Sequence, residues 1–166
     1  LGGNLVNASP AADLATPLLG YDAAAIITSK KGDREVALVD FFTGPGETVL
    51  KQGEILKEIS IPKPPPRTGA AFLKLGKRKA MAIAVVSVAA RLTFEEQGTI
   101  SQARIALGSV APVPFRATKA ESALIGKNPG VRLFAEVGEI ARSESSPISD
   151  LRSTADYREK MVAVLT

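Results

Sequence analysis

The residues best suited by type and spacing to do chemistry are the first thirteen, reading LGGNLVNASPAAD. Gly2 and Gly3 let a backbone approach a ligand more closely than side chains would allow, and Ser9-Pro10 has the form of a helix start, Ser9 as the cap and Pro10 as the first helical residue. Asp13 falls in the first turn of that expected helix, where a carboxylate complements the helix dipole. Free amides at such a start favour anions, so the stretch suggests a phosphate-bearing ligand. The simpler reading is that Ser9 and Asp13 only cap a helix. Local chemistry alone favours it, because the pattern is neither a GxGxxG nor a Walker loop. Leu1 is not an initiator methionine, and the chain is expected to be a fragment or processed piece that begins inside a domain.

The residue types that are missing narrow the chemistry further. The chain has no Cys and no His, so it has no disulfide, no thiolate for an iron-sulfur cluster, no thiol nucleophile, and neither the commonest general base nor the commonest transition-metal ligand. Catalysis would need Asp, Glu, Lys, Tyr or a cofactor that brings its own chemistry. No catalytic residue and no metal ligand is assigned. With 45% hydrophobic and 23% charged residues over 166 positions, the composition is that of an ordinary globular protein. A net charge of +4, two Tyr and no Trp offer little to bind or stack nucleic acid. The longest apolar run, residues 80–90, is far short of the roughly 20 residues of a membrane span and is expected to be a buried strand.

These candidates must be positioned by surrounding elements. A short helix is expected from about Pro10, disturbed at Pro17 and finished near Gly20. Residues 24–29 and 35–39 read as a hairpin around a turn at Lys30-Lys31-Gly32-Asp33, followed by a loop at 40–46 whose Phe41 and Phe42 are expected in the core. Residues 55–61 read as a strand ended by Pro62. The stretch Pro62-Lys63-Pro64-Pro65-Pro66 is a stiff connector. Beyond it, strands at 70–76, 83–94 and 100–109 form a three-stranded antiparallel sheet. Helices follow: one from Ala117, with Ala120, Leu124 and Ile125 on one face and Gly126 as its stop; one from about Val131, burying Leu133, Phe134, Val137, Ile140 and Ala141; and one from Ser153 or Thr154, burying Tyr157, Met161, Val164 and Leu165. Lys74, Lys77, Arg78 and Lys79 read as surface charge. The expected units are 1–62, a linker at 63–69, and 70–166.

The segments GGNLVNASPAADL (2–14), FFTGPGETVLKQGEIL (41–56), FLKLGKRKAMAIAVVSVAARL (72–92), ALGSVAPVPFRATKAE (106–121) and DLRSTADYREKM (150–161) resemble, in the same order and with similar spacing, the FAD-binding medium subunit of the xanthine dehydrogenase and carbon monoxide dehydrogenase family, the molybdenum hydroxylases. The resemblance covers essentially the whole chain. It implies an α+β fold: the second part of a vanillyl-alcohol-oxidase-type FAD domain, then a C-terminal domain of a three-stranded antiparallel sheet with a three-helix bundle. The family's N-terminal part, with another pyrophosphate-binding loop, has no counterpart here.

By this resemblance Gly3 and Asn4 lie against the FAD phosphates or ribose, Ser9 and Asp13 hydrogen-bond nearby, Val49 or Leu50 packs on the ring systems, and Lys74 approaches the cofactor. The implied function is electron relay. Iron-sulfur clusters of a two-iron, two-sulfur small subunit pass electrons to FAD and on to an acceptor such as NAD, the molybdenum cofactor being in a molybdopterin-binding large subunit. A cytoplasmic location goes with that assignment. The alternative is a non-catalytic docking module that binds no FAD on its own.

Overall fold

The structure is a computed structural model that describes residues 1–79 and 81–166. Its architecture follows from two strands that are covered on both faces. β7 (Ala84–Phe94) and β8 (Ile100–Gly108) pair antiparallel at the centre of a four-stranded sheet, with β6 (Thr68–Gly76) and the two-residue β9 (Phe115–Arg116) at its edges. Side chains alternate across a strand, and both faces of β7 and β8 are written in their residue types. Val86 and Val88 of β7 and Ala103, Ile105 and Leu107 of β8 point to one core, shared with helices α3 (Thr118–Leu124), α4 (Val131–Glu144) and α5 (Ala155–Leu165). Ser87, Ala89, Ala106 and Gly108 face the other way, onto helix α2 (Ala15–Gly20). Small residues there let α2 lie close: a Cβ on Gly108 would collide with the hydroxyls of Thr16 and Ser87, and one on Gly20 would touch Ala89.

The N-terminal part adds a sheet ordered β2-β1-β5, built from β1 (Ala24–Ser29), β2 (Gly32–Ala37) and β5 (Ile55–Ser60). A ribbon of β3 (Phe42–Gly44) and β4 (Glu47–Thr48) lies beside it, and helix α1 (Gly2–Val6) opens the chain. Leu5, Leu19, Ile27, Leu38 and Phe41 are fully buried in this part, and the Phe41 and Phe42 rings meet edge to face at 5.2 Å. Residues 61–65 between β5 and β6 have no regular structure.

The structure corrects several expectations. Gly2 and Gly3 are in helix α1 and not in a loop, and no helix starts at Pro10. Residues 9–13 form turns in which Ser9 Oγ accepts from Ala11 N, and the helix begins only at Ala15. Pro17 is in the first turn of α2, where its missing N–H breaks no internal bond but could not bond residue 13 in a longer helix, so the helix starts no earlier than about Ala15. β2 ends at Ala37 because Leu38–Asp40 turn into a 3₁₀ helix whose Leu38 enters the core. The main sheet carries β9 beyond the three strands expected. Ile125 follows α3 in extended conformation and is exposed, and Phe134 is part exposed on α4. On α5 the buried face is Arg158 and Val162, with Met161 and Leu165 packed alongside, while Tyr157 is 46% and Val164 71% exposed. A sequence pattern built from apolar residues misplaces that face because a buried arginine occupies its centre. Ala80, at the head of the long apolar run, lies outside the described residues; the strand itself starts at Ala84.

The two parts are joined by ions as well as by packing. Asp22, two residues after α2 and in a left-handed conformation that Asp tolerates well, accepts from Arg91 (2.6 Å), Arg104 (2.8 Å) and Arg116 (2.7 Å). Arg116 also pairs with the buried Glu121, which accepts from Ile105 N. Arg91 further stacks over Tyr21 at 5.6 Å. Burial works to raise the Asp22 carboxyl, but hydrogen bonds and charge from Arg104, Arg91 and Arg116 outweigh it and hold the group below its ordinary value. A depressed carboxylate stabilises the fold above its unfolded value, and that contribution is lost as pH falls through the folded one. Asp22→Asn is therefore expected to cost about 2 kcal/mol in urea unfolding near neutral pH, between the values typical of exposed and buried pairs. The deficit should shrink as pH falls below about 4, where this carboxyl begins to protonate in the unfolded chain while the folded one stays ionised to lower pH. An equal deficit at every pH would contradict it.

Candidate functional site

A cavity of about 570 Å³ lies between the N-terminal part and the C-terminal sheet and helices. One wall is Asn4 with the turns at 9–13, and Pro45 from the β3–β4 ribbon. The opposite wall is Ser109, Ala111 and Pro112 after β8, Ala82 and Ile83 before β7, and Asp150, Arg152 and Arg158 at the start of α5. The volume falls within the range of small-molecule and cofactor sites.

Local structure explains how each group arrives there. Ala8, two residues after α1, has a positive φ of 46° and is fully buried, and its carbonyl accepts from Gly46 N, so the chain turns away from α1 into the 9–13 stretch. Asn4 Oδ1 accepts from Leu14 N at 3.1 Å, which fastens the far end of that stretch to α1 and leaves the amide NH₂ of Asn4 as a donor. Ser9 Oγ, already accepting from Ala11 N, keeps its own proton to donate. Asp13 pairs with Lys74 of β6 at 2.7 Å across the two parts.

The far wall is set by one strained residue and one buried cation. Ser109 has φ +66°, is 8% exposed, donates its N–H to Pro10 O (2.8 Å), and its Oγ has no partner among the described residues. Arg158, 3% exposed, donates Nη1 to Val85 O (3.0 Å) and Ser109 O (2.8 Å) and Nη2 to Asp150 Oδ1 (2.7 Å). Asp150 also accepts from Arg152 N, Ser153 N and the Arg152 guanidinium. Partial burial would raise its carboxyl, but the backbone N–H of Arg152 and the Arg158 guanidinium outweigh this and lower it to about 2, so it is ionised at neutral pH.

Of the residues singled out from sequence, Asn4, Ser9 and Asp13 share the cavity wall, and Lys74 reaches it through Asp13. Gly3 lies in α1 outside the lining, where an added Cβ would meet nothing within 4 Å. Val49 and Leu50 do not line the cavity; they pack half-buried on the first core. Their loop is clamped by Arg34, which donates to Val49 O and pairs with Glu54, whose carboxyl the Arg34 and Lys51 N–H groups hold down to about 2. Ser109, Asp150, Arg152 and Arg158 carry no role in the sequence reading, although they lie within or beside quoted motifs. A local cue is Gly108, the residue before Ser109, where a Cβ would collide with the Thr16 and Ser87 hydroxyls. Among the described residues no group of three carboxylates is placed to hold a metal ion, and no helix is long and apolar enough to cross a membrane.

Residues 1–64 match the family described as the FAD binding domain in molybdopterin dehydrogenase, and residues 71–166 match the CO dehydrogenase flavoprotein C-terminal domain. The chain belongs to the FAD-binding medium subunits of the molybdopterin dehydrogenases. Among these medium subunits, it is 33% identical over 99% of its length to the xanthine dehydrogenase FAD-binding subunit of Escherichia coli O157:H7, of which it covers 56%. It is 34% identical to the carbon monoxide dehydrogenase medium chain of Afipia carboxidovorans, covering 99% of this chain and 57% of that one. In three dimensions it is similar to reconstituted CO dehydrogenase from Oligotropha carboxidovorans, with a TM-score of 0.92 at 34% identity over 99% of this chain and 57% of that one. The chain thus spans little more than half the length of these medium subunits. FAD is the cofactor of the family.

The strain at Ser109 gives a direct test of the geometry. Gly adopts a positive φ freely, and the substitution also removes a buried unpartnered hydroxyl. Ser109→Gly should raise stability by about 1 kcal/mol, seen as a higher melting temperature. A lower one would show that the hydroxyl or the Cβ is needed where it stands.

Proposed function

We propose that this chain supplies one wall of the FAD site in an electron-relaying medium subunit. The observation that carries the reading is that Asn4, Ser9 and Asp13 converge on one wall of the 570 Å³ cavity, with Lys74 tied to Asp13. The residues fit the cofactor. Donors from Asn4 and Ser9 suit phosphate and carbonyl oxygens, while the Asp13 carboxylate, which would repel phosphate, suits the hydroxyls of a ribityl or ribose chain. Pro10, Ala11, Ala12, Pro45 and Ile83 offer an apolar surface for flat rings. Gly3, on the same helix as Asn4, is proposed to lie against the cofactor as well. The proposal does not extend to Val49 and Leu50.

When bound, FAD supplies the electron-transfer chemistry. The chain's own residues bind and orient it, and the Asp13–Lys74 pair limits how much net charge faces it. No acid or base is required of them. In the same reading the partners are a molybdopterin-binding large subunit, a small subunit with two-iron, two-sulfur clusters, and the N-terminal part of the FAD domain, in the cytoplasm, with NAD as one acceptor. The boundary between the two units is proposed in the Pro-rich stretch at 63–69.

The test is a flavin spectrum of the intact subunit purified with its partners. Bound flavin is expected, and Asn4→Ala should weaken FAD retention about tenfold through loss of one or two polar contacts. A wild-type subunit that never carries flavin would leave the docking-module alternative standing.

A further inference from the structure

We propose that Arg158 of α5 is a positioning residue for the cofactor wall formed by residues 9–13, acting through Ser109 and Pro10. The inference rests on the FAD site proposed above. It begins with the cost of the arrangement. An L-residue in the left-handed region is strained, and Ser109 is held there beside a cavity, with its hydroxyl buried and unpartnered. Such strain persists only where the surroundings impose it. Two hydrogen bonds do so: Arg158 Nη1 to Ser109 O at 2.8 Å, and Ser109 N to Pro10 O at 2.8 Å.

They make a continuous path from α5 to the opposite wall. Arg158 is fixed by Val85 O on β7 and by Asp150, so it fastens Ser109 to the sheet and the helix layer at once. Ser109 in turn holds Pro10, the residue between Ser9 and the apolar Ala11-Ala12 turn. Pro10 has no N–H, so its carbonyl is the only backbone group by which this point of the turn can be held. Of the other fixed points, Gly46 N to Ala8 O holds the residue before the stretch, and Asn4 to Leu14 and Lys74 to Asp13 lie toward its far end, which leaves Pro10 as the hold within it. Arg158, itself on the opposite side of the cavity, therefore sets where Ser9 and its neighbours stand through these two bonds.

A lysine at 158 keeps the charge opposite Asp150, but a single ammonium lacks the planar fork that serves two carbonyls and a carboxylate together. In the intact subunit, Arg158→Lys should weaken FAD about tenfold and change the visible circular dichroism of the bound flavin. Without flavin, amide exchange should quicken at Ser109, Ala11 and Ala12 while the central strands β7 and β8 keep their protection. Asp150→Asn, which leaves the guanidinium whole but removes its charge partner, should act in the same direction by a smaller factor, and it carries the test if Arg158→Lys does not fold. Unchanged FAD affinity in both variants would overturn the proposal. So would a uniform loss of protection across β7, β8 and α5 with FAD binding reduced only in proportion, which would mark Arg158 as fold support alone. The exchange measurement needs no flavin, whereas a wild-type subunit without flavin would overturn the FAD site and this inference with it.

Discussion

Asp22 holds three guanidinium groups with one carboxylate, and the cavity depends on that contact. Arg91 and Arg104 project from the face of β7 and β8 that looks toward α2, and Arg116 comes from the edge strand β9. An unpaired arginine in a region as buried as Arg91 would be costly, so the sheet presents this face only where the end of α2 supplies a carboxylate. Packing then completes the seam. Gly20 over Ala89, and Thr16 against Ser87 with Gly108 below, bring α2 to a distance that larger residues would forbid. With α2 fixed, the turns before it are carried to the position opposite Ser109, and a cavity is left where the two parts fail to meet.

That seam also explains the odd composition of β7. A strand with one solvated face alternates polar and apolar residues, whereas Ala84 through Ala89 are buried without a break. One face is aliphatic and belongs to the three helices. The other is small or charged and belongs to α2. The charge on that second face is a structural device, and most of it is spent on Asp22 and Glu121. The chemistry of the site falls to polar residues that are left with unused donors and acceptors.

Much of the fold was legible because the signals were local. The β7–β8 hairpin, the stop at Gly126 and the cap at Thr154, whose Oγ1 accepts from Tyr157 N, follow from turn and capping chemistry that neighbours in sequence decide. The site was legible only on one wall. Asn4, Ser9 and Asp13 lie in a short motif, but the local reading of Ser9-Pro10 as a helix start was wrong, since Ser109 and Asn4 hold this stretch in turns by contacts 99 and ten residues distant in sequence. The other wall was hidden for the same reason. Nothing around Arg158 in the sequence says that it is buried, because its partners are carbonyls of β7 and of Ser109 that only the folded topology brings to it. Apolar spacing placed Met161 and Leu165 of α5 against the core but misjudged Tyr157 and Val164 on that account.

The proposed FAD wall is the stretch 9–13, and the chain after β8 is tied to it through Ser109 N and Pro10 O. Amide hydrogen exchange of the intact subunit with and without FAD tests it most directly. FAD should slow exchange at residues 9–13 and at 109–113 together, with the amides of α4 unchanged. Protection confined to one of these stretches, or appearing at the sheet of β1, β2 and β5 with both walls unaffected, would contradict it.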